Sequence, residues 1–591
     1  MIGLFAVTAA GKRAATELAA ALGPEAVVVD GPLQPSLKQI WPQLDAAVFF
    51  LATGAVVRLI APLLADKHTD PGVVCVDEAR TFAVSVAGGH GGGANALTER
   101  VAKLLGATPV ITTAPDETGT TPLDELVDLI GATVDGDLAA CGVALLDGAP
   151  IRLLNPLGFP LPALPPNIGP DVHGPEWIVS IDDRAPTEEP QIPTLRLVPH
   201  TLVVGIGSAR DVPADAVKAA LAQLDHVFGF DPRAVCAFAT VDVKTDEPGI
   251  LGAITDFSFW HWQDDLPLLA YPADTLSTVE VPAPSDVVLS VVGTPSVAEA
   301  AALHAAGELA PGAVVELVVR KTKSGGTETG PIVAAHRVTV AAARIRPRGR
   351  LAVIGLGPGA ADLRTPRAEA ELRRAAVVVG LDASVEQVRH LLRAGTEVRT
   401  SALGAEEARA REAVGLAAAG HAVALIGSGD AGIYAMASPA LQQCPVEVEV
   451  IGVPGVTAAL AASSLLGAPL GHDHALISLS DPHTAWEIIE RRVSAAAQGD
   501  FVVCFYHPRS PERHWQLGAA LDVLREHRPA NTPVGAVRQA SRDGQHVWCA
   551  PLDEFDPAEV DMFTTVVVGS SQTNLVNGRM VTPRGDTWQS V

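Results

Sequence analysis

Three apolar, β-type runs in the C-terminal part of the chain each lead into a short glycine-containing loop. Residues 351–354 precede the loop 355–359, residues 422–426 precede 428–434, and residues 448–453 precede 454–459. A fourth run, residues 566–568, follows the segment 561–565 and precedes another glycine, Gly569. Loops at successive strand ends of an α/β sheet form one crevice. The pattern therefore predicts an α/β domain with a single ligand-binding crevice.

The first of these loops, Gly355-Leu356-Gly357-Pro358-Gly359, is ambiguous when taken alone. Pro358 and Gly359 interrupt the G-x-G-x-x-G spacing of a dinucleotide site, and no helix pattern begins directly after them. Glycine permits close approach of a ligand to the backbone, but the same string is typical of a tight turn after a strand. Asp430 in the second loop is open to two interpretations as well, because a carboxylate can bind a ligand or cap its own loop.

Length, charge and cysteine spacing exclude several classes of protein. With 591 residues the chain should contain several domains, since domains average roughly 100–200 residues. No apolar run approaches the ~18 residues needed to span a bilayer, and the apolar N-terminus lacks a preceding basic region, so we expect a cytoplasmic protein without a membrane partner. A net charge of −25 without a basic tract argues against nucleic acid as a partner. The six cysteines are scattered without ligand-like spacing, which predicts reduced thiols and no metal site.

Alternating strand and helix patterns along the rest of the chain predict a multidomain α/β fold. We expect four domains, with boundaries at residues 1–121, 122–200, 201–347 and 348–591. Closely spaced prolines between residues 160 and 170 are interpreted as part of a linker that follows a small middle domain. Arg346, Pro347 and Arg348 mark the last boundary.

Taken together, the C-terminal loops resemble those of the precorrin-3B C(17)-methyltransferases, a group within the tetrapyrrole methylase family. Residues 465–473, 477–481, 505–510 and 581–585 also match. The resemblance implies a two-subdomain, class III methyltransferase fold with S-adenosylmethionine between the subdomains, a tetrapyrrole substrate, and a homodimer. The implied reaction is methylation of precorrin-3B at C-17 with ring contraction to precorrin-4 in cobalamin biosynthesis. The alternative is the same step of the anaerobic route, on cobalt-factor III or cobalt-precorrin-3.

The resemblance also assigns residues to the S-adenosylmethionine site. They are Gly355, Gly357, Pro358, Gly359, Ser428, Gly429, Asp430, Ile433, Tyr434, Gly455, Thr457, Ala458, Thr565, Met580 and Thr582. Methyl transfer from a sulfonium requires alignment and exclusion of water, so no nucleophilic side chain is expected. The ring contraction calls for an acid and a base. The candidates are His507, Asp481 and His472, each of which could instead have a structural role.

A substrate with many carboxylates needs positive charge where it binds to an acidic protein. Arginine suits this role because it can hold a carboxylate through two parallel hydrogen bonds. Near the predicted loops the candidates are Arg364, Arg367, Arg509 and Arg513. A solvated position on a helix surface is the alternative, and it fits Arg513 better than Arg509.

The N-terminal half contains a glycine cluster around His90 and Asn95, which is typical of a ligand pocket or of a turn with an exposed histidine. Residues 52–67, 70–78 and 88–98 resemble the CbiG family of cobalt-precorrin-5A hydrolases, and 204–208, 245–249 and 293–300 resemble its C-terminal domain, also known alone as CobE. The resemblance implies a lactone-opening activity with His90 catalytic, and Asn95 and Arg58 binding carboxylates. The alternative is a non-catalytic tetrapyrrole-binding module. Ser208-Ala209-Arg210 replaces the cysteine and basic residues of the family, which argues against a thiol-dependent role there.

Overall fold

The protein is represented by a computed structural model that describes residues 1–65, 69–89, 93–112, 119–188, 190–261, 266–324, 338–480, 484–510 and 513–584. The chain divides into two compact units. The first comprises Met1–Leu154, Pro165–Asp182 and Glu188–Pro199, and the second comprises Asn155–Leu164, Asp183–Thr187 and His200–Val591. Both units contain mixed α/β layers, which confirms the predicted fold class. The four domain boundaries stay a prediction.

The first unit begins with a six-stranded sheet. Its strands are β1 (Ile2–Ala6), β2 (Ala26–Val28), β3 (Ala46–Phe50), β4 (Gly72–Val76), β5 (Phe82–Ala87) and β6 (Thr108–Val110), and its helices are Ala9–Leu22, Leu33–Ile40, Thr53–Ile60 and Ala94–Leu105. The strand order is β2-β1-β3-β4-β5-β6. Alternate residues of β3 enter two cores, Val48 and Phe50 on one face and Ala47 and Phe49 on the other. Helices therefore cover both faces, as expected for a largely parallel sheet.

A second sheet of this unit contains five strands in the order β7-β11-β10-β8-β9. They are β7 (Ala132–Asp135), β8 (Ile151–Leu154), β9 (Ile168–Gly169), β10 (Trp177–Ile181) and β11 (Thr194–Pro199), with helices Leu123–Ile130 and Leu138–Leu146. The prolines between residues 160 and 170 lie in and around the connection from β8 to β9, and these two strands pair through Ile151 and Ile168. The prediction of a linker after the domain was therefore wrong. Proline has no backbone N–H to donate to a neighbouring strand, so the proline-rich stretch itself is irregular. The strands on both sides of it nevertheless belong to one sheet.

The second unit begins with a sheet of order β14-β13-β12-β16-β15. Its strands are β12 (Leu202–Ser208), β13 (Val235–Val241), β14 (Leu268–Tyr271), β15 (Val315–Ser324) and β16 (Val338–Ile345); its helices are Ala214–Leu221, Gln223–His226, Pro248–Trp260, Ala273–Ser277, Asp286–Val292 and Val297–Leu309. The helix Val297–Leu309 supplies alanines to the core on one face of this sheet, including Ala301 and Ala305. Small side chains allow this helix to approach the strands closely.

The C-terminal part of the second unit contains a fully parallel sheet, called the parallel sheet below, of order β19-β18-β20-β17-β21. Its strands are β17 (Gly349–Gly355), β18 (Val377–Leu381), β19 (Glu397–Ser401), β20 (Ala422–Gly427) and β21 (Val448–Val453). Its helices are Pro366–Arg373, Asp382–Glu386, Glu406–Ala418, Ala437–Gln443 and Ala458–Leu466. The strands β20, β17 and β21 are neighbours, so the loops after them lie at one edge.

A second, mostly antiparallel sheet, called the mixed sheet below, follows in the order β23-β24-β27-β25-β26. Its strands are β23 (His474–Ser478), β24 (Val502–Tyr506), β25 (Pro533–Arg538), β26 (His546–Pro551) and β27 (Thr564–Val568), with helices Trp486–Gln498 and Gln516–Arg525. A small sheet joins β22 (Gly467–Ala468), β28 (Asn574–Val576) and β29 (Arg579–Val581). Short 3₁₀ helices span Trp41–Gln43, Pro232–Ala234, Asp242–Lys244, Ala361–Leu363, Arg389–Leu391 and Pro557–Glu559.

Within the described ranges, no helix has the length and apolar character needed to cross a membrane. All six cysteines lie in these ranges and are free thiols. The same part of the chain contains no cluster of three or more histidine, cysteine or acidic side chains suited to hold a metal ion.

Candidate functional site

The three glycine loops after β17, β20 and β21 are in direct backbone contact. Gly357 and Gly429 exchange two backbone hydrogen bonds of 3.0 and 2.8 Å. A Cβ atom placed on Gly355 would lie 2.6 Å from the carbonyl oxygen of Gly429, and one placed on Gly455 would lie 2.2 Å from the same oxygen. Glycine is required at Gly355 and Gly455 because the neighbouring backbone occupies the space of a side chain.

Asp430 joins two of these loops. One carboxylate oxygen accepts the backbone N–H of Gly432 at 2.8 Å, and the other accepts that of Gly455 at 3.0 Å. The structure therefore gives Asp430 the loop-capping role that the sequence left open beside ligand binding.

Tyr506, at the end of β24, connects the mixed sheet to the start of the helix Ala458–Leu466. Its hydroxyl accepts the backbone N–H of Ala459 at 3.0 Å and lies 2.6 Å from the hydroxyl of Thr457. Burial raises the pKa of Tyr506, so the phenol stays protonated and can donate to Thr457. Tyr506 belongs to the matching run 505–510, but no local pattern marks it, because its partners lie 49 and 47 residues away in the chain.

Tyr434 makes a second connection between the two sheets. Its hydroxyl donates to the carbonyl of Leu476 at 2.8 Å, and its ring centroid lies 5.2 Å from that of Tyr506. Burial raises the pKa of the Tyr434 phenol as well. The two rings therefore form one aromatic wall held from both sheets.

Arg542, in the loop between β25 and β26, was not anticipated from the sequence. Its Nε donates to the carbonyl of Pro358 at 2.5 Å, and its Nη2 donates to the hydroxyl of Ser428 at 2.7 Å. Gly359 has φ +148°, and a Cβ there would lie 2.4 Å from Cγ of Arg542. Gly359 thus leaves the space that the arginine occupies, and no local pattern around Arg542 signals this contact.

These groups surround one cavity of about 250 Å³ between the parallel and mixed sheets. Its wall consists of Pro358, Ser428, Gly429, Asp430, Ile433, Tyr434, Thr457, Ala458, Tyr506, His507, Gln539, Ala540, Arg542, Met562, Phe563, Thr564 and Thr565. Nine of the residues assigned to the cofactor by resemblance are on this wall: Pro358, Ser428, Gly429, Asp430, Ile433, Tyr434, Thr457, Ala458 and Thr565. The structure therefore brings most of that set together.

Met580 and Thr582 lie behind the cavity wall. Met580 is fully buried in the core shared with Leu466 and Val537. The hydroxyl of Thr582 donates to the carbonyl of Pro469 at 2.6 Å and lies 2.8 Å from the hydroxyl of Thr573. These positions support the wall, and the predicted contact of Met580 and Thr582 with the cofactor stays a prediction. Gly355, Gly357, Gly359 and Gly455 likewise shape the loops without belonging to the wall.

Of the predicted acid–base residues, His507 is on the cavity wall. Its Nδ1 lies 3.0 Å from the hydroxyl of Ser478, and its backbone adopts φ +50°. Arg513 donates to the carbonyl of His507 at 3.1 Å, which gives this arginine a structural role. His472 is half-exposed next to Asp473 and is not part of the wall, and its assignment as an acid or base stays a prediction. Asp481 and His90 lie outside the described residues.

The predicted substrate-binding arginines do not line the cavity. Arg364 is buried and pairs with Glu369 at 3.2 Å, so its charge is already compensated inside the protein. Arg509 donates to the carbonyl of Pro557 at 2.9 Å, and Arg367 is exposed on the helix Pro366–Arg373. The buried pair with Glu369 argues against substrate binding by Arg364, whereas for Arg367 and Arg509 that assignment stays a prediction.

Arg58 and Asn95, the two predicted carboxylate-binding residues of the first unit, both have hydrogen-bond partners nearby in the structure. Arg58 donates to the carbonyl of Gly54 at 2.9 Å, one turn earlier in its helix. The side-chain oxygen of Asn95 accepts the hydroxyl of Ser85 at 2.8 Å. Their assignment as ligands of a substrate stays a prediction.

The turn at residues 561–564 holds Met562 and Phe563 at the cavity. The carboxylate of Asp561 accepts three hydrogen bonds. They come from the backbone N–H of Phe563 at 3.0 Å, and from the hydroxyl of Thr564 and Nε of Arg538 at 2.7 Å each. Partial burial opposes the charged form, but these hydrogen bonds outweigh it and lower the pKa of Asp561. The turn is thus tied to an ionised carboxylate.

We expect the stabilisation by Asp561 to depend on pH. The pKa of Asp561 is lower in the folded protein than its unfolded value of about 3.9. The carboxylate therefore contributes its full stabilisation above the unfolded pKa. This stabilisation is lost as the pH falls through the folded-state pKa. The difference in free energy of unfolding between wild type and Asp561→Asn should therefore be present at about pH 6 and shrink below about pH 4. Urea titrations at both pH values measure it. A difference that does not change with pH would contradict the role of the carboxylate.

Three family models match the chain. They are "Cobalamin synthesis G N-terminal" over residues 36–116, "Cobalamin synthesis G C-terminus" over 202–343, and "Tetrapyrrole (Corrin/Porphyrin) Methylases" over 350–556. A probable cobalt-factor III C(17)-methyltransferase of Salmonella typhimurium is 45% identical over 243 residues, which cover 40% of this chain and 99% of the relative. The chain belongs to the tetrapyrrole methylase family.

Other similarities involve the same methylase domain. A precorrin-3B C(17)-methyltransferase of Sinorhizobium is 40% identical over 235 residues, which cover 39% of this chain and 91% of the relative. The crystal structure of the methyltransferase CobJ is 38% identical, with a TM-score of 0.38, and the match covers 40% of this chain and 100% of that one. The methylase domain is fused to two cobalamin synthesis G domains, and the resemblance described from the sequence is confirmed.

Proposed function

We propose that the methylase domain transfers a methyl group from S-adenosylmethionine to C-17 of precorrin-3B, with ring contraction to precorrin-4. The observation that carries the proposal is the convergence of loops from both sheets on one cavity, in a domain that aligns with two C(17)-methyltransferases over nearly their whole length. The homodimer and the cytoplasmic location stay predictions.

The wall of the cavity suits S-adenosylmethionine. Apolar side chains, which fit an adenine ring and a thioether chain, alternate with hydroxyls and an amide, which fit a ribose and an amino acid group. The apolar set is Ile433, Ala458, Ala540, Met562 and Phe563, and the polar set is Ser428, Thr457, Gln539, Thr564 and Thr565. The bound cofactor supplies an already activated methyl group. The protein therefore has to orient the two reactants and exclude water, which needs no nucleophile.

Two wall residues have defined tasks in this proposal. Tyr506 keeps the start of the helix Ala458–Leu466 in place against the cavity. It does so through its hydrogen bonds with the hydroxyl of Thr457 and the N–H of Ala459. His507 is the candidate acid or base for the ring contraction, because it faces the cavity and its ring is oriented by Ser478. An imidazole can both donate and accept a proton, as such a rearrangement requires.

A second candidate substrate is the cobalt-containing counterpart of precorrin-3B. The observation that favours it is the identity of 45% with the Salmonella relative named for cobalt-factor III, together with the fused cobalamin synthesis G domains. For these N-terminal domains we propose opening of a precorrin-5A-type lactone, with passive binding of tetrapyrrole as the alternative.

The function is tested by anaerobic incubation of the full chain with methyl-labelled S-adenosylmethionine and either precorrin-3B or cobalt-factor III. We expect label in a ring-contracted product from precorrin-3B. Label from cobalt-factor III alone would select the second candidate, and label in neither product, with cofactor binding intact, would refute both substrates. The proposed hydrolase activity is tested in the same preparation by measuring acetaldehyde released from a precorrin-5A-type lactone. Release by wild type that is lost in His90→Ala supports the hydrolase. No release by wild type refutes it.

A further inference from the structure

The guanidinium of Arg542 lies on the wall of the methylase cavity with neutral partners only. Its two hydrogen bonds go to the carbonyl of Pro358 and the hydroxyl of Ser428. Within the described residues, no carboxylate lies at salt-bridge distance from it, and its Nη1 has no partner. Asp430, the carboxylate on the same wall, already accepts two backbone N–H groups. A positive charge is therefore left uncompensated where a ligand would bind.

Two other arginines of the same domain with little exposed surface are paired with acids. Arg350 contacts Glu371 at 2.6 Å, and Arg528 contacts Asp500 at 3.0 Å. The chain has a net charge of −25, so acidic residues are not scarce. Placing an unpaired charge in a partly desolvated position costs free energy, and burial is the cause that lowers the pKa of Arg542. A guanidinium nevertheless stays protonated in proteins. An anion in the cavity would compensate this cost.

The shape of the site fits a carboxylate. Arginine has five N–H donors in a planar fork, which matches the two oxygens of a carboxylate. Two of these donors hold the side chain between Pro358 and Ser428, and the remaining ones include both hydrogens of Nη1. The glycine at position 359 keeps the space for this placement, since a Cβ there would overlap with the arginine side chain. The charge is thus oriented by the protein before any ligand arrives.

We propose that Arg542 binds a carboxylate of a ligand in the methylase cavity, an inference that rests on the proposed function and adds a specificity-determining residue to it. Two ligands of that reaction carry carboxylates. S-adenosylmethionine has one on its amino acid end, and the tetrapyrrole has several on its acetate and propionate side chains. The chemistry is the same for both, a bidentate pair between guanidinium and carboxylate.

The test compares wild type with Arg542→Gln, which removes the charge but keeps hydrogen-bonding groups, and with Arg542→Lys, which keeps the charge but loses the planar fork. Calorimetry measures the Kd of S-adenosylmethionine, of its decarboxylated analogue and of precorrin-3B. Kinetics give KM and kcat for the tetrapyrrole. Arg373→Gln, which removes an exposed charge elsewhere in the domain, is the matched control.

If the partner is the cofactor, we expect wild type to bind S-adenosylmethionine about ten- to a hundredfold more tightly than the decarboxylated analogue, and Arg542→Gln to lose this preference. If the partner is the tetrapyrrole, cofactor binding is unchanged and KM for the tetrapyrrole rises by a similar factor, with a smaller effect of Arg542→Lys. Unchanged affinity for both ligands in a folded Arg542→Gln variant would overturn the proposal. Because cofactor binding and direct binding of precorrin-3B are read without turnover, failure of this inference is distinguishable from failure of the proposed reaction.

Discussion

Replacing Gly455 by alanine is expected to reduce methyl transfer by about a hundredfold, since a displacement of about 1 Å at a reacting geometry has an effect of this size. The new Cβ would lie 2.2 Å from the carbonyl oxygen of Gly429 and 2.6 Å from that of Gly355, so the three loops must separate. Backbone atoms at these positions are fixed by the parallel strands and cannot yield as a flexible side chain would. Label transfer from S-adenosylmethionine measures the activity, and calorimetric unfolding should show a loss of about 3 kcal/mol, the upper part of the usual range for overpacking.

The matched control for this change is Gly452→Ala, three residues earlier in β21. A Cβ on Gly452 meets no atom within 4 Å, so the variant should keep its activity and its stability. Equal activity of the two variants would show that the contact between the loops is unimportant for the cavity.

Replacing Asp183 by alanine is expected to destabilise the second unit by about 3–5 kcal/mol, the cost of leaving a buried charge without its partner. Asp183 is fully buried and accepts Nε and Nη2 of Arg344 at 2.6 and 2.7 Å, as well as the hydroxyl of Thr201 at 2.9 Å. Arg344 is itself mostly buried. Its charge would keep only the longer contact of 3.7 Å with the part-exposed Glu316, in a poorly solvated place. Scanning calorimetry of the full chain measures the shift of the unfolding transition.

An exposed ion pair provides the comparison for Asp183. Glu386 and Arg389 are both more than half exposed, at 63% and 56%, so Glu386→Ala should have a much smaller effect, because water screens such pairs. If both substitutions shift the transition equally, burial is not the reason for the strength of the Asp183 pair.

The convergence of the glycine loops could be predicted from the sequence, because parallel neighbouring strands end at the same edge of a sheet. The role of the arginines could not. The position of Arg364 near the first loop predicts substrate binding, but its side chain pairs with Glu369 inside the fold. Arg542 is far from that loop in the chain and carries no motif, yet it hydrogen-bonds to Pro358.

The sequence could not distinguish the roles of the two histidines either. His472 and His507 both belong to segments that match the family. Only the structure shows that His507 is on the cavity wall and that His472 is half-exposed away from it. The prolines between residues 160 and 170 suggested a linker after a domain, but they lie between paired strands, because β8 and β9 come from the two sides of this stretch.

The sequence by itself determined the α/β class, the family and the loops that form the cavity, because strand periodicity, glycine placement and ordered motifs are local properties of the chain. Only the tertiary structure decided which charges remain uncompensated and which side chains face the cavity. Those properties depend on contacts between residues far apart in sequence, such as Tyr506 with Ala459 and Arg542 with Ser428, which no local pattern encodes.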